Sequence, residues 1–188
     1  MNERATIVRS PATYQDVLDA PPEMVAELVD GTLHLHPRPA SKHSRASVQL
    51  CGRLAPLDGP TRGRVGWFFT FEPELHLGSD VLVPDLAGWR RERMVEFPDT
   101  PAFDLPPDWV CEILSPGTRR FDLTEKRALY GRWGVGHLWM LDPAAETLEA
   151  FELRESEWVL IGGFQDADEV RVAPFTEIGF PLSNLWPR

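Results

Sequence analysis

The chain has 188 residues, 43% of them hydrophobic and 26% charged, the make-up of a globular domain long enough to bury a sizeable core. Its formal net charge of −10 argues against a protein that coats nucleic acid without specificity, which needs a basic footprint. No apolar run reaches the roughly eighteen residues of a membrane span, and the opening MNERATIVRS lacks an apolar signal core, so a cytoplasmic protein is expected.

A single domain over 1–188 is expected, with 1–12 a flexible or loosely packed N-terminus. Thr13 followed by Tyr-Gln-Asp-Val-Leu reads as a short capped helix ending before Pro21-Pro22. "MVAELVDGTLHLH" sets two apolar runs around Asp30-Gly31, the strongest short-range hairpin signal. A two-residue turn there pairs Val29 with Thr32, Leu28 with Leu33 and Glu27 with His34. Ala26, Leu28, Leu33 and Leu35 then share one face, and Glu27, His34 and His36 the other.

"SKHSRASVQLCGRLAPL" reads as a helix with Ser41 as its cap and Val48, Leu50 and Leu54 apolar. "RVGWFFTFEPELHL" and "VLVPDLAGW" read as two strands joined near Gly78-Ser79-Asp80. A proline-rich loop over 91–107 leads to a strand over 109–115, followed by a helix over 122–133 that Gly134 stops. "HLWMLDP" is a further strand, and "ETLEAFEL" and "EWVLIGGF" continue as a meander; "FPLSNLWPR" has no regular pattern. Cys51 and Cys111 lack metal-ligand or disulfide spacing and read as buried thiols. The order predicts an α/β (α+β) fold, a mixed central sheet flanked by helices, with an N-terminal hairpin and a C-terminal β-meander.

The stretch "CEILSPGTRRFDLTEK" (111–126) carries the chemistry. Glu112 alternates with Val110 and Leu114 in a strand apolar on both faces, where an ionised carboxylate is costly unless something positive meets it. The plain alternative is a strand-end glutamate facing water. Asp85, after Pro84 in "VLVPDLAGW", has the same problem, and proline there favours a bulge or an edge. Adjacent strands lie about 4.8 Å apart, so two such carboxylates can share one cation. Asp108, after Pro107, is too far along its strand to share an ion with Glu112.

Lys126 falls near the middle of an apolar helical arc with Leu123, Leu129, Tyr130 and Trp133, so it is expected to point at the sheet. The chain uses 17 arginines and only two lysines, Lys42 and Lys126, so a lysine in an apolar stripe suggests that a compact ammonium is required. A snorkelling lysine is the alternative. Two carboxylates and an ammonium suit phosphodiester hydrolysis: the acids hold Mg²⁺ (or Mn²⁺), and the ammonium offsets charge on the phosphoryl oxygens. His34 and His36 lie two apart on one strand face without an evident third ligand. The segment from Arg119 to Arg132 is locally basic, which fits either a solvated face or phosphate contact by Arg119 and Arg120.

With "AELVDGTLHLHP", His43 opening a helix, "VPDLAGW", "WVCEILSPGTRRFDLTEKRALYGRWGV" and "HLWMLDP", the sequence resembles the PD-(D/E)XK nuclease superfamily, the restriction-endonuclease-like fold. More closely it resembles the Uma-two endonuclease family. The resemblance implies Asp85 and Glu112 as acidic metal ligands, and Lys126 in place of the lysine that would stand at position 114, where this chain has Leu. It also implies a role for Glu27 near the metal, as a ligand or a group behind one; a glutamate opposite His34 is equally a routine cross-strand pair. A Mg²⁺-dependent DNA endonuclease, dimeric so that two copies address both strands of a duplex, is the leading expectation. The alternatives are an inactive nuclease-fold module that binds nucleic acid or a protein, and a structural protein whose polar residues form an internal salt-bridge network.

Overall fold

The computed structural model describes residues 6–8, 10–59 and 66–186. The expectation of a loose N-terminus falls partly on residues 1–5 and 9, outside the described residues; β1 (Thr6–Val8) pairs antiparallel with β3 (Thr32–Pro37). Helix α1 (Tyr14–Leu18) starts after Thr13, whose N–H and hydroxyl both donate to the Asp16 carboxylate, at 2.7 and 2.9 Å. The hairpin of β2 (Met24–Val29) and β3 has the expected register. Asp30 and Gly31 both adopt positive φ, 46° and 73°, the twist that a tight two-residue hairpin needs.

The two long runs read as single strands each divide. The first breaks into β4 (Trp67–Phe71) and β5 (Glu74–Leu77), the second into β6 (Asp80–Leu82) and β7 (Leu86–Arg90). Pro73 and Pro84 stand at the two breaks, where their missing N–H groups could not have continued a ladder. One central sheet thus becomes two six-stranded mixed sheets. The first has the order β1-β3-β2-β6-β5-β8, with β8 (Ala102–Phe103) parallel to β5. The second is built from β9 (Trp109–Ile113), β10 (His137–Asp142), β11 (Thr147–Arg154) and β12 (Glu157–Gln165) beside β7 and β4, ordered β12-β11-β10-β9-β7-β4. Only β9 and β10 are parallel within it.

Helix α2 (Ser41–Leu54) covers one face of the second sheet and buries Ala46, Leu50 and Leu54 against Trp109, Cys111, Ile113 and Trp139. Ser41 is not its cap: Ala40 holds that position with extended backbone, and Val48 points to solvent. The tail ends as β14 (Phe180–Pro181), paired with β13 (Glu169–Val170), and a 3₁₀ turn (Leu182–Leu185) whose leucines join the same core. The opposite face packs Val110, Leu114, Leu138 and Met140 against the first sheet and a helical segment. That segment begins earlier than the sequence suggests, as α3 (Arg119–Phe121), a π-helical turn (Asp122–Lys126) and α4 (Arg127–Arg132), and Gly134 closes it at φ 74°. Cys111 is buried, but Cys51 only partly so; both are free thiols. No helix among the described residues is long and apolar enough to cross a membrane.

Candidate active site

Strand alternation puts Glu112 between the two buried neighbours Val110 and Leu114, on the face turned toward the first sheet. There its Oε1 accepts a hydrogen bond from the Tyr130 hydroxyl at 2.5 Å and from Lys126 Nζ at 2.8 Å. Asp85 stands just before β7, which pairs with β9, and so reaches the end of β9. Its Oδ2 accepts from the Ile113 N–H at 2.7 Å, and its Oδ1 lies 3.0 Å from His43 Nε2. Glu27, from the hairpin, turns inward as the pleat requires. It ignores its register partner His34 and meets Lys126 at 3.0 Å, with His36 Nε2 at 3.4 Å.

Val83 ties these pieces together. Pro84 ends the strand beside it, so its backbone groups turn inward: its N–H donates to Glu27 Oε1 at 2.7 Å and its carbonyl accepts from Lys126 Nζ at 3.1 Å. The three N–H donors of Lys126 are thereby matched by Glu27, Glu112 and Val83. All four residues proposed from the sequence, Glu27, Asp85, Glu112 and Lys126, line one cavity of about 60 Å³, together with His36, His43, Ser115, Thr118 and Asp122. Arg119 and Arg120 do not line it. Arg119 ion-pairs with Asp142, and Arg120 is exposed one residue on.

The π-turn changes which side of this segment faces inward. In an unbroken helix Phe121 and Tyr130, nine steps of about 100°, would face opposite ways. One inserted residue rotates the leading segment by about 100° and brings both onto the buried side. Asp122, one turn before Lys126 and on its face in either geometry, is buried too, 4% exposed and 4.0 Å from Lys126 Nζ. Its signal in the sequence was a carboxylate four residues before the buried lysine. Phe121 also packs against the histidine pair: His34 stacks on its ring and His36 lies tilted against it, with centroids 4.3 and 5.0 Å away.

Three buried carboxylates, Glu27, Glu112 and Asp122, thus surround one ammonium, with Asp85 part-buried in the same cavity, and the imbalance shows in their protonation. Burial, then the neighbouring Asp122, Asp85 and Glu27, push Glu112 well above the carboxylate range despite Lys126. Burial likewise pushes Asp122 up to about 6, with Lys126 and Thr118 opposing it. Burial acts on Glu27 in the same direction, but Lys126, His36 and the Val83 N–H outweigh it and hold this carboxyl at about 2. Burial pulls Lys126 down, yet Glu112 and Glu27 more than compensate, so it stays an ammonium with its pKa raised.

The family model described as "Uma2: Putative restriction endonuclease" matches residues 11–184. The chain belongs to the Uma2 family. A crystal structure from Anabaena variabilis ATCC 29413, described as a putative nuclease belonging to DUF820, matches it with a TM-score of 0.75 at 23% identity, over 93% of this chain and 97% of that one. At that identity the likeness is one of fold, a two-sheet architecture shared with that structure. No curated protein matches the chain.

In this Uma2 protein carboxylate oxygens are the charged donors toward the cavity, beside His36 and His43, and they suit a hard divalent cation. Among the described residues no three His, Cys, Asp or Glu side chains form a ready-made cage. Mg²⁺ does not demand one, because it binds through one or two carboxylates and keeps several waters. The surplus of carboxylates over ammonium is the charge that such an ion would balance, so the residues fit it. Asp108 lies outside the cavity and accepts from the Arg90 N–H at 2.8 Å and from Arg93 at 2.9 Å.

Proposed function

We propose that the protein is a divalent-metal-dependent endonuclease that hydrolyses phosphodiester bonds of DNA, with Mg²⁺ or Mn²⁺ held by Asp85 and Glu112. The observation that supports this reading is the buried gathering of Glu27, Glu112 and Asp122 around Lys126, in a cavity that the part-buried Asp85 also lines, at positions where an apolar core would be cheaper. When bound, the ion polarises a phosphoryl oxygen and lowers the pKa of a water. Glu27 stands behind the site: it anchors Lys126 and Val83 rather than opening onto substrate. Lys126 offsets charge that develops on the phosphoryl oxygens. To do so it exchanges one of its three present acceptors for a substrate oxygen. Arg120 contacts the DNA backbone, as does Arg119 when it leaves Asp142, and two copies of the chain address the two strands.

The test is nicking of supercoiled plasmid with Mg²⁺ or Mn²⁺ by wild type and Glu112→Gln. The reading expects metal-dependent nicking that EDTA stops and that the variant lacks. Equal nicking by the variant would mean a contaminating nuclease.

One observation favours a second reading, a nuclease-fold module without chemistry. Lys126 already neutralises Glu112 at 2.8 Å, as a closed internal ion-pair network requires. That reading expects salt-dependent DNA binding with no cleavage under any divalent metal.

A further inference from the structure

We infer that His43 is the positioning residue that fixes the Asp85 carboxylate for the proposed metal, an assignment that rests on the reading of Asp85 given above. The carboxylate is gripped from two elements. The Ile113 N–H of β9 holds Oδ2 at 2.7 Å, and His43 Nε2, from the first turn of α2, holds Oδ1 at 3.0 Å. A backbone donor alone leaves the carboxylate free to swing about its Oδ2; a second donor on Oδ1 fixes its plane. α2 is a rigid base for that donor, since Ala46, Leu50 and Leu54 anchor it in the core below.

The residue is 7% exposed and lines the cavity, and among the described residues its Nδ1 has no hydrogen-bond partner. With nothing among the described residues to share a proton on Nδ1, the ring donates from Nε2 to Asp85. An orphaned buried nitrogen costs stability, and an apolar side chain would fill the same space without that cost. Packing therefore gives no reason for histidine here, whereas a fixed donor to Asp85 does. Outer donors of this kind orient the carboxylates that bind metals, and their loss typically weakens metal binding by about 10- to 100-fold.

Two measurements test the assignment. Long-range ¹H–¹⁵N spectra of histidine-labelled protein report the His43 tautomer without any metal. Calorimetric titration of Mn²⁺ into wild type, His43→Gln and His43→Leu reports the consequence, with thermal melts to show that each variant folds. The Nε2–H tautomer is expected, with Mn²⁺ binding weakened about 10- to 100-fold in His43→Leu. In His43→Gln, whose amide nitrogen can reach the same oxygen, most of that loss is recovered. Should His43→Leu fail to fold, His43→Asn, too short to reach Asp85, takes its place with the same expected loss. An Nδ1–H tautomer, wild-type affinity in His43→Leu, or an equal loss in Leu and Gln variants overturns the assignment. Wild type that shows the Nε2–H tautomer and no Mn²⁺ binding overturns the metal reading itself, and the assignment falls with it.

Discussion

Trp109 and Glu112 stand three residues apart on β9 and are equally buried, at 0% and 2% exposed, yet they face opposite kinds of interior. Toward α2, Trp109 meets Trp139 and Phe175 edge to face, with centroids 5.5 and 5.0 Å apart, and Phe175 meets Trp67 in the same way. Such contacts add roughly 0.5–1.5 kcal/mol per pair beyond area burial. Toward the first sheet, Glu112 is buried among charges. Desolvating an ion pair can cost more than its attraction returns, so well-packed apolar residues would do as well or better there. One strand thus separates a face shaped for stability from a face that stability does not explain. That contrast is the physical ground for placing function on the Glu112 side.

The contrast can be broken most forcefully by single changes on either face. Trp139→Ala is expected to cost about 3–5 kcal/mol in denaturant unfolding and to leave the carboxylate face intact. Lys126→Met, which strands Glu27 and Glu112, is expected to cost a similar 3–5 kcal/mol or so. The faces part in the combined variant: Glu27→Leu, Glu112→Leu and Lys126→Met together are expected to recover most of that stability while abolishing nicking. If the combined variant is as unstable as Lys126→Met, the polar face is structural after all.

A smaller effect lies in pH. Asp122 releases its proton near pH 6 when folded and near 3.8 when unfolded, so between those values the folded state holds the extra proton. Its contribution to stability therefore falls as pH rises from about 4 to 6. Asp122→Asn is expected to remove that fall, on the order of 3 kcal/mol, in melts across this range. Glu27 works the other way: held at about 2, it adds stability above pH 4.5 that is lost as pH drops toward 2. The smallest expected change is Ala40→Ser, which supplies the missing cap of α2 and raises stability by about 0.5–1 kcal/mol.

Much of this was readable before the fold, and the exceptions have physical causes. The hairpin register followed from period-two alternation around Asp30-Gly31, and the inward aim of Lys126 followed from helical projection. Hidden were events of one or two residues with long-range results. The positive φ of Glu72 beside Pro73, and Pro84 ahead of Asp85, pass the chain from one sheet to the other and back, while the apolar pattern runs on across both breaks. The π-turn adds one residue to a helix whose composition does not announce it, and so the inward place of Phe121 was hidden. The partnership of His43 with Asp85 joins residues 42 apart, with no local pattern to reveal it. The tail's 3₁₀ turn has no periodicity to detect, and its place is set by packing on α2.

The most direct test of the central claim is calorimetric titration of Mn²⁺ into wild type and Asp85→Ala, each alone and with a short DNA duplex. Saturable binding in wild type that is absent from the variant is the predicted result, with DNA permitted to strengthen it by completing the coordination shell. Binding of equal strength in both proteins, or none in wild type even with DNA present, would contradict a carboxylate metal site.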